Sequence, residues 1–330
     1  MIIFFIFICR GVAFCSLSPL VLSGNYYENG FSLGSILKQS TAVQTQFKEL
    51  QKIYSFQQNI DEVKEVLNAY CPALLEELQG IMDGSGFPEA EILRLLAGYD
   101  MPQLAELGCT SLITSDFYVR NYDFSPKVYD GLFIKNGIIY GNAQFLVGRL
   151  DGMNRNGLVV GLHFVNNEFY KKGFVCSTIV RIVLEMCKDV EEAVQLLKKL
   201  PHAACYNYSL LDQKGNFAVV ESSPEQVHIL TRPNELACVN KFQTEKMESF
   251  NRKWVGSSDD RLAALEKNSS LQTLDEFHEW FSKTDSPLFY TDYDQFFGTL
   301  YTVSYVPNEM KILLTAAGSG ERRSFDMKID

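Results

Sequence analysis

The chain has 330 residues, of which 46% are hydrophobic and 21% charged, and its formal net charge is −10. That length and hydrophobic share allow a substantial core, in one large domain or two. The acidic balance argues against a nucleic-acid binder, which needs a basic face.

The chain opens with MIIFFIFICRGVAFC, whose uninterrupted apolar run stops at Arg10, too short for a membrane span. No positive segment precedes the run, so a cytoplasmic chain is expected; secretion is the alternative in which residues 1–15 act as a signal peptide. No later stretch could span a membrane. PLVLSGNYYENGFSLGSILKQ starts like a strand, and its glycines suggest a tight turn into a helix. Residues 41–82 carry helical periodicity, with Phe47, Leu50, Ile53 and Tyr54 on one face and a second run through Val63, Leu67, Leu74, Leu75 and Leu78. Gly84-Ser85-Gly86 breaks that pattern, and Pro88 opens a further helix where its missing N–H costs nothing.

The character changes at Gly108. CTSLIT and FYVRNYDF predict two strands turning at Ser115-Asp116, with Leu112 opposite Tyr118 or Val119 and Cys109 near Asp123. GLFIKNGIIYGNAQFL and GLVVGLHFV continue as strands, and residues 173–200 switch to helix. NYSLLD, FAVVESS and QVHILT read as strands, the first two joined by a turn at Lys214-Gly215-Asn216. Helices follow at 258–266 and 274–282, and TLYTVSYVP with MKILLTAA forms a closing hairpin joined at Asn308. This order predicts an α+β fold, a four-layer αββα sandwich with two sheets inside and helices outside. Residues 1–108 form a mainly helical N-terminal segment, and 109–330 the catalytic region.

The chemistry centres on Gly108-Cys109. Cutting the chain there creates a new N-terminus that carries a thiol nucleophile and its own α-amine base. The amine's ordinary pKa, about 7.7–8.0, lies closer to neutrality than the thiol's, about 8.5. Gly108 has no side chain to obstruct thiol attack on its carbonyl. Arg120 is a fixed cation able to favour thiolate, and Asp123 a carboxylate able to hold the new ammonium. Acyl transfer also needs oxyanion donors, for which Asn240 and the Gly161–His163 segment are candidates. Tyr122, Phe124 and Tyr129 are aromatic candidates for an acyl pocket, or ordinary core.

The eight cysteines are irregularly spaced and form no Cys-x-x-Cys, and the four histidines lack metal spacing. Reduced thiols are expected, with no metal and no cofactor. Cys176 and Cys187, eleven apart, are read as core. Gly318-Ser319-Gly320 lacks the rest of a phosphate loop. Asn207-Tyr208-Ser209 and Asn268-Ser269-Ser270 match the glycosylation pattern, which matters only in a secreted chain.

At these residues the chain resembles the choloylglycine hydrolase and acyl-CoA:6-aminopenicillanate acyltransferase group of N-terminal cysteine hydrolases. SGNYYENGFSLG is similar to a pro-region segment of the acyltransferase branch, and GCTSLIT with VRNYDF to the group's nucleophile hairpin. DGMNRNGLVVGLHF, CVNKF, SSDDRLAAL and TLYTVSYVP resemble further motifs in the group's order. The resemblance implies an Ntn-hydrolase fold and an autoprocessed amidohydrolase or acyltransferase acting on linear amides or on acyl-CoA as substrate. It implies Cys109 as nucleophile and base, Arg120 and Asp123 setting thiol and amine protonation, Asn240 donating to the oxyanion, and Arg261 as a second buried cation. Asn154 and Asn156 are read as turn residues. The chain departs from the bile-salt hydrolases at His163, where they carry Asn; a ring N–H could donate there instead. The long segment before Cys109 places the chain nearer the acyltransferase branch, where the cut piece stays attached as a small subunit. Two other readings stay open: an uncut, non-catalytic binding protein with the same fold, and a papain-like protease using His202 or His228 as base.

Overall fold

The computed structural model describes residues 8–9, 12–13, 18–54, 56–101, 108–126, 129–253, 255–268, 271–295, 297–317 and 320–327. Most of the apolar run at 1–15, Ser269-Ser270 and Gly318-Ser319 lie outside the described residues. After a two-residue ribbon, β1 (Ile8–Cys9) and β2 (Val12–Ala13), the chain lays β3 (Leu20–Val21) beside the main body. Five helices follow: α1 (Tyr26–Gln39), α2 (Thr41–Ile53), α3 (Ile60–Tyr70), α4 (Pro72–Ser85) and α5 (Glu89–Leu96). Local rules account for their ends. Asn25 and Glu28 form a capping box at the start of α1, and Gly86 closes α4 in the left-handed conformation.

Two expectations change here. The run from Val63 to Leu78 is two helices, because Pro72 has no N–H to continue α3 and instead starts α4. Gly30 and Gly34 make no turn: they lie inside α1, facing Gly80 and Gly84 of α4. A β-carbon on Gly30 would lie 1.9 Å from the Glu77 carbonyl oxygen, and one on Gly80 2.1 Å from that of Tyr27. The four glycines let the two backbones touch.

The body holds two sheets. The first runs from β6 (Phe133–Lys135), β7 (Ile139–Gln144), β8 (Gly148–Asn154) and β9 (Val159–Asn166) to β10 (Cys205–Leu211), β11 (Phe217–Ser222) and β12 (Val227–Leu230). Its order is β12-β11-β10-β9-β8-β7-β6-β3, antiparallel except where β3 joins β6. The second contains β4 (Gly108–Thr114), β5 (Tyr118–Phe124), β13 (Glu235–Cys238), β14 (Gly298–Val306), β15 (Lys311–Ala316) and β16 (Arg322–Asp326), in the order β13-β4-β5-β14-β15-β16. β8, β13 and β16 went unassigned from sequence. The sheets meet through β4, β9 and β10. Outside the first lie α6 (Cys176–Met186) and α7 (Val190–Leu197); outside the second lie α8 (Gly256–Lys267) and α9 (Leu274–Ser282). This is the αββα order.

The helical segment is tied to the body by buried charge. Arg181 of α6 donates to Glu77 of α4 at 2.6 Å and pairs with Glu185, which also accepts from Tyr26 of α1. Both Arg181 and Glu77 are buried. No helix of the described residues is long and apolar enough to cross a membrane.

Candidate active site

β4 and β5 form the predicted hairpin, with Leu112 opposite Val119. Cys109 pairs with Tyr122, and Asp123 faces Gly108, one position from the expected register. Side chains alternate along a strand, so Arg120 and Asp123 leave β5 on opposite faces. They do not pair with each other. Arg120 reaches into the layer between the sheets, where Nη2 donates to Cys109 Sγ at 3.1 Å and to the Leu162 carbonyl at 2.8 Å. Its Nη1 pairs with the buried carboxylate of Asp151. Asp151 also accepts from Tyr301 and Tyr305 at 2.6 Å each and from Asn142 at 2.8 Å.

The other face holds Asp123 and Arg261. Arg261 rises from α8 and donates to the Cys109 carbonyl and Thr110 Oγ1, both at 2.7 Å, and to Asn240 Oδ1 at 3.1 Å. Asp123 Oδ2 lies 3.9 Å from Arg261 Nη1, and Thr299 donates to Oδ1 at 2.7 Å. A bulge in β14 between Thr299 and Tyr301 makes this arrangement. It turns Thr299 toward Asp123 while Tyr301 faces Asp151, a common use of bulges beside reactive groups.

Asn240 closes the cluster. Its Oδ1 accepts the Cys109 backbone N–H at 2.7 Å, and its Nδ2 donates to the Phe164 carbonyl at 2.8 Å. Asn207 of β10 braces the same segment from both sides, donating to the Val239 and Lys241 carbonyls. That buried amide is unsuited to carry a glycan. His163 binds Ser111 and Ser209 through Nε2, each at 3.1 Å. Cys109, Arg120, Asp123, Asn240 and His163 are fully buried, and Arg261 nearly so. The structure therefore brings all six sequence-selected side chains to the start of β4. Gly108 fits there because a β-carbon would lie 2.6 Å from Phe297 and 3.0 Å from the Asp123 β-carbon.

Burial dominates the protonation states. It pushes the Cys109 thiol up to about 11, against the opposing pull of Arg120, so the thiol of the intact chain is neutral at pH 7. It likewise raises the Asp123 carboxyl, opposed by Arg261 and the Thr299 hydroxyl. It drives His163 well below the usual imidazole range, helped by Arg120 and opposed by the backbone of Cys109.

Sequence reading missed Asp151, Tyr301, Tyr305, Thr299 and Asn207. The four-residue spacing of Tyr301 and Tyr305 puts them on one strand face, but buried tyrosines read as core. Phe124 lines a cavity of about 40 Å³ with Tyr54, Met101, Leu150, Leu162 and Cys176. Tyr122 and Tyr129 instead stack on Tyr301, with ring centroids 5.4 and 5.9 Å away. His202 bonds to groups of its own neighbourhood, the Leu197 carbonyl and the Tyr208 hydroxyl, and His228 stands opposite Glu221 at the sheet edge. Asn154 ends β8 rather than standing in the turn, and its Oδ1 accepts the Asn156 and Leu158 backbone N–H groups; Asn156 lies in the turn itself. Among the described residues no cluster of three or more His, Cys, Asp or Glu is arranged for a metal.

The acyl-coenzyme A:6-aminopenicillanic acid acyl-transferase family model matches residues 113–321. No curated protein matches the chain. Solved structures with similar backbones include a mutant of conjugated bile acid hydrolase from Clostridium perfringens, with 14% identity, covering 67% of this chain and 92% of that one at a TM-score of 0.46. Penicillin V acylase from Agrobacterium tumefaciens has 14% identity, coverage of 68% and 87%, and a TM-score of 0.40. The Caenorhabditis elegans ortholog of N-acylethanolamine-hydrolyzing acid amidase has 16% identity, coverage of 61% and 93%, and a TM-score of 0.42.

Proposed function

The chain belongs to the acyl-coenzyme A:6-aminopenicillanic acid acyl-transferase family, and from that premise we propose that it frees Cys109 by cutting its own backbone and then transfers acyl groups through that residue. It is an enzyme of the amide-hydrolase or acyltransferase type. The family match begins beyond Cys109, so the geometry around the thiol supports the assignment. The observation that carries it is the thiol held by Arg120 while the nitrogen of the same residue is held by Asn240.

In the first stage the thiol adds to the Gly108 carbonyl carbon, the Gly108–Cys109 C–N bond breaks, and the nitrogen takes up the thiol proton. Water then hydrolyses the thioester, leaving a Gly108 carboxylate and a Cys109 α-amine. In the second stage the amine takes the thiol proton and the thiolate attacks a linear amide or thioester. The departing amine or thiol recovers the proton, and water or an amine resolves the acyl-enzyme. Arg120 favours the thiolate, and Asp123 stabilises the ammonium. Asn240 holds the nitrogen through Oδ1; its Nδ2 donates to an oxyanion only by leaving the Phe164 carbonyl. In this reading the chemistry needs no cofactor, and acyl-CoA enters as a substrate. The N-terminal helices stay on as a small subunit. Among the described residues, six free, buried cysteines suit a reducing compartment.

Intact mass and N-terminal sequencing of the purified chain, with a panel of N-acyl amides and acyl-CoA thioesters, test this. Two fragments are expected, one beginning at Cys109. Cys109→Ala should remain uncut and lose turnover by at least about 10³-fold. A cut or active alanine variant would falsify the proposal, and an uncut, inactive wild-type chain would favour the binding-protein reading.

A further inference from the structure

β9 lays three consecutive residues against the site. The Leu162 carbonyl accepts from Arg120, and the Phe164 carbonyl accepts from Asn240. Between them, His163 turns its ring toward Ser111 on β4 and Ser209 on β10. Nε2 lies between these two hydroxyls, while Nδ1, equally buried, has no partner at hydrogen-bond geometry among the described residues, although the Cys109 backbone lies near the ring. Ser111 stands two residues from Cys109, on the same face of β4.

Counting protons decides which ring nitrogen carries the hydrogen. Ser209 donates to the Gly161 carbonyl at 3.2 Å, which leaves its oxygen to accept from the Tyr118 hydroxyl, 2.9 Å away. Among the described residues, the Ser111 hydroxyl has a single hydrogen-bond partner, Nε2 of His163. With hydrogen on Nε2, the Ser111 proton and the Nδ1 lone pair would both be buried without partners. With hydrogen on Nδ1, all three hydroxyl protons find acceptors and one ring N–H is left over. Buried polar groups settle into the arrangement that leaves fewest unpaired.

We propose that Ser111, Ser209 and Tyr118 are positioning residues that lock His163 as its Nδ1–H tautomer, keeping that N–H as the spare donor for the oxyanion of acyl transfer. The oxyanion part rests on Cys109 being the nucleophile; the tautomer does not. Burial keeps the ring neutral, so the donor does not vary with pH across the neutral range. A buried donor left unpaired in the resting chain gains a partner only when negative charge develops beside it, which favours a transition state over a ground state.

The test is long-range ¹H–¹⁵N correlation on the full chain labelled at its four histidines. The His163 signals are those lost in His163→Gln. The wild-type ring is expected in the neutral Nδ1–H form; an Nε2–H or doubly protonated ring overturns the proposal, and this reading needs no variant to fold. Ser111→Ala should switch the ring to Nε2–H, with kcat falling by about 10²-fold and KM little changed. Ser111→Thr, which restores a hydroxyl, should restore the Nδ1–H signature. An alanine variant that keeps Nδ1–H sinks the idea. Should Cys109→Ala retain turnover, the catalytic reading fails while the tautomer result still judges the lock.

Discussion

At the scale of single residues, the site is built at Gly108-Cys109, the start of β4, where groups from both faces of the second sheet meet. The tolerance at Gly108 is small, since a methyl group must push aside the Phe297 ring and press on Asp123. Gly108→Ala should therefore slow appearance of the cut chain by about 10²-fold, as misplacements near reacting atoms do. Gly137→Ala, where nothing lies within 4 Å, should leave processing unchanged. A time course of intact mass compares the two, and equal rates would remove Gly108 from the argument. Cys109, Arg120 and Asp123 were legible because they share one hairpin, whose turn sets the register to within one position. Arg261 became legible only through the resemblance, which also singled out Asn240 among the oxyanion candidates, since neither lies near Cys109 in the sequence. Asp151 stayed hidden because its four partners come from three other strands, and no local pattern marks a carboxylate that the fold surrounds with donors.

At the scale of elements, the tightest contact is the crossing of α1 and α4. The Gly84 position would put a β-carbon 2.3 Å from the Phe31 carbonyl oxygen, so backbone rather than a flexible side chain resists any added bulk. Gly80→Ala gains helix propensity of about 1 kcal/mol, yet it must separate the helices. Overpacking at such a contact costs about 1–3 kcal/mol, and a net loss is expected, read as a lower denaturant midpoint at constant slope. A stabilised variant would show that the helices slide apart freely. Helix periodicity predicted α4 and a turn signal the start of α1, but neither carries information about partners. That is why Gly30 and Gly34 read as turn signals and Gly84 as a break, when the role they share with Gly80 emerges only once two helices are side by side. The break at Pro72 was available in the sequence and was overridden by the apolar spacing on either side of it.

At the scale of the whole molecule, buried titratable groups shape the pH range of stability. Burial holds His202 and His278 at about 4, so as pH falls below about 6.5 the unfolded chain takes up protons that the folded one refuses, and stability drops. Asp130, lifted by burial to about 6, acts in the opposite sense and offsets part of that loss. In the alkaline range Cys71 sits at about 11 and Cys187 and Cys205 at about 12. Above about pH 8.5 the unfolded chain releases thiol protons that the folded chain keeps, and stability falls again. Thermal midpoints measured from pH 4 to 11 in the Cys109→Ala background should peak between those limits; a midpoint still rising at pH 10 would contradict this. The layered architecture was legible from the alternation of strand and helix runs, whereas the packing of the helical segment on α6 was not, because it runs through a buried Arg181–Glu77 pair far apart in sequence. One further consequence concerns light rather than stability. Tyr122, Tyr129 and Tyr301 form a stack of chiral, coupled chromophores next to the thiol, in a chain with 16 tyrosines and only two tryptophans. The near-ultraviolet dichroism of this protein is thus weighted toward rings that neighbour Cys109, which makes the native chain its own optical probe of events at that residue.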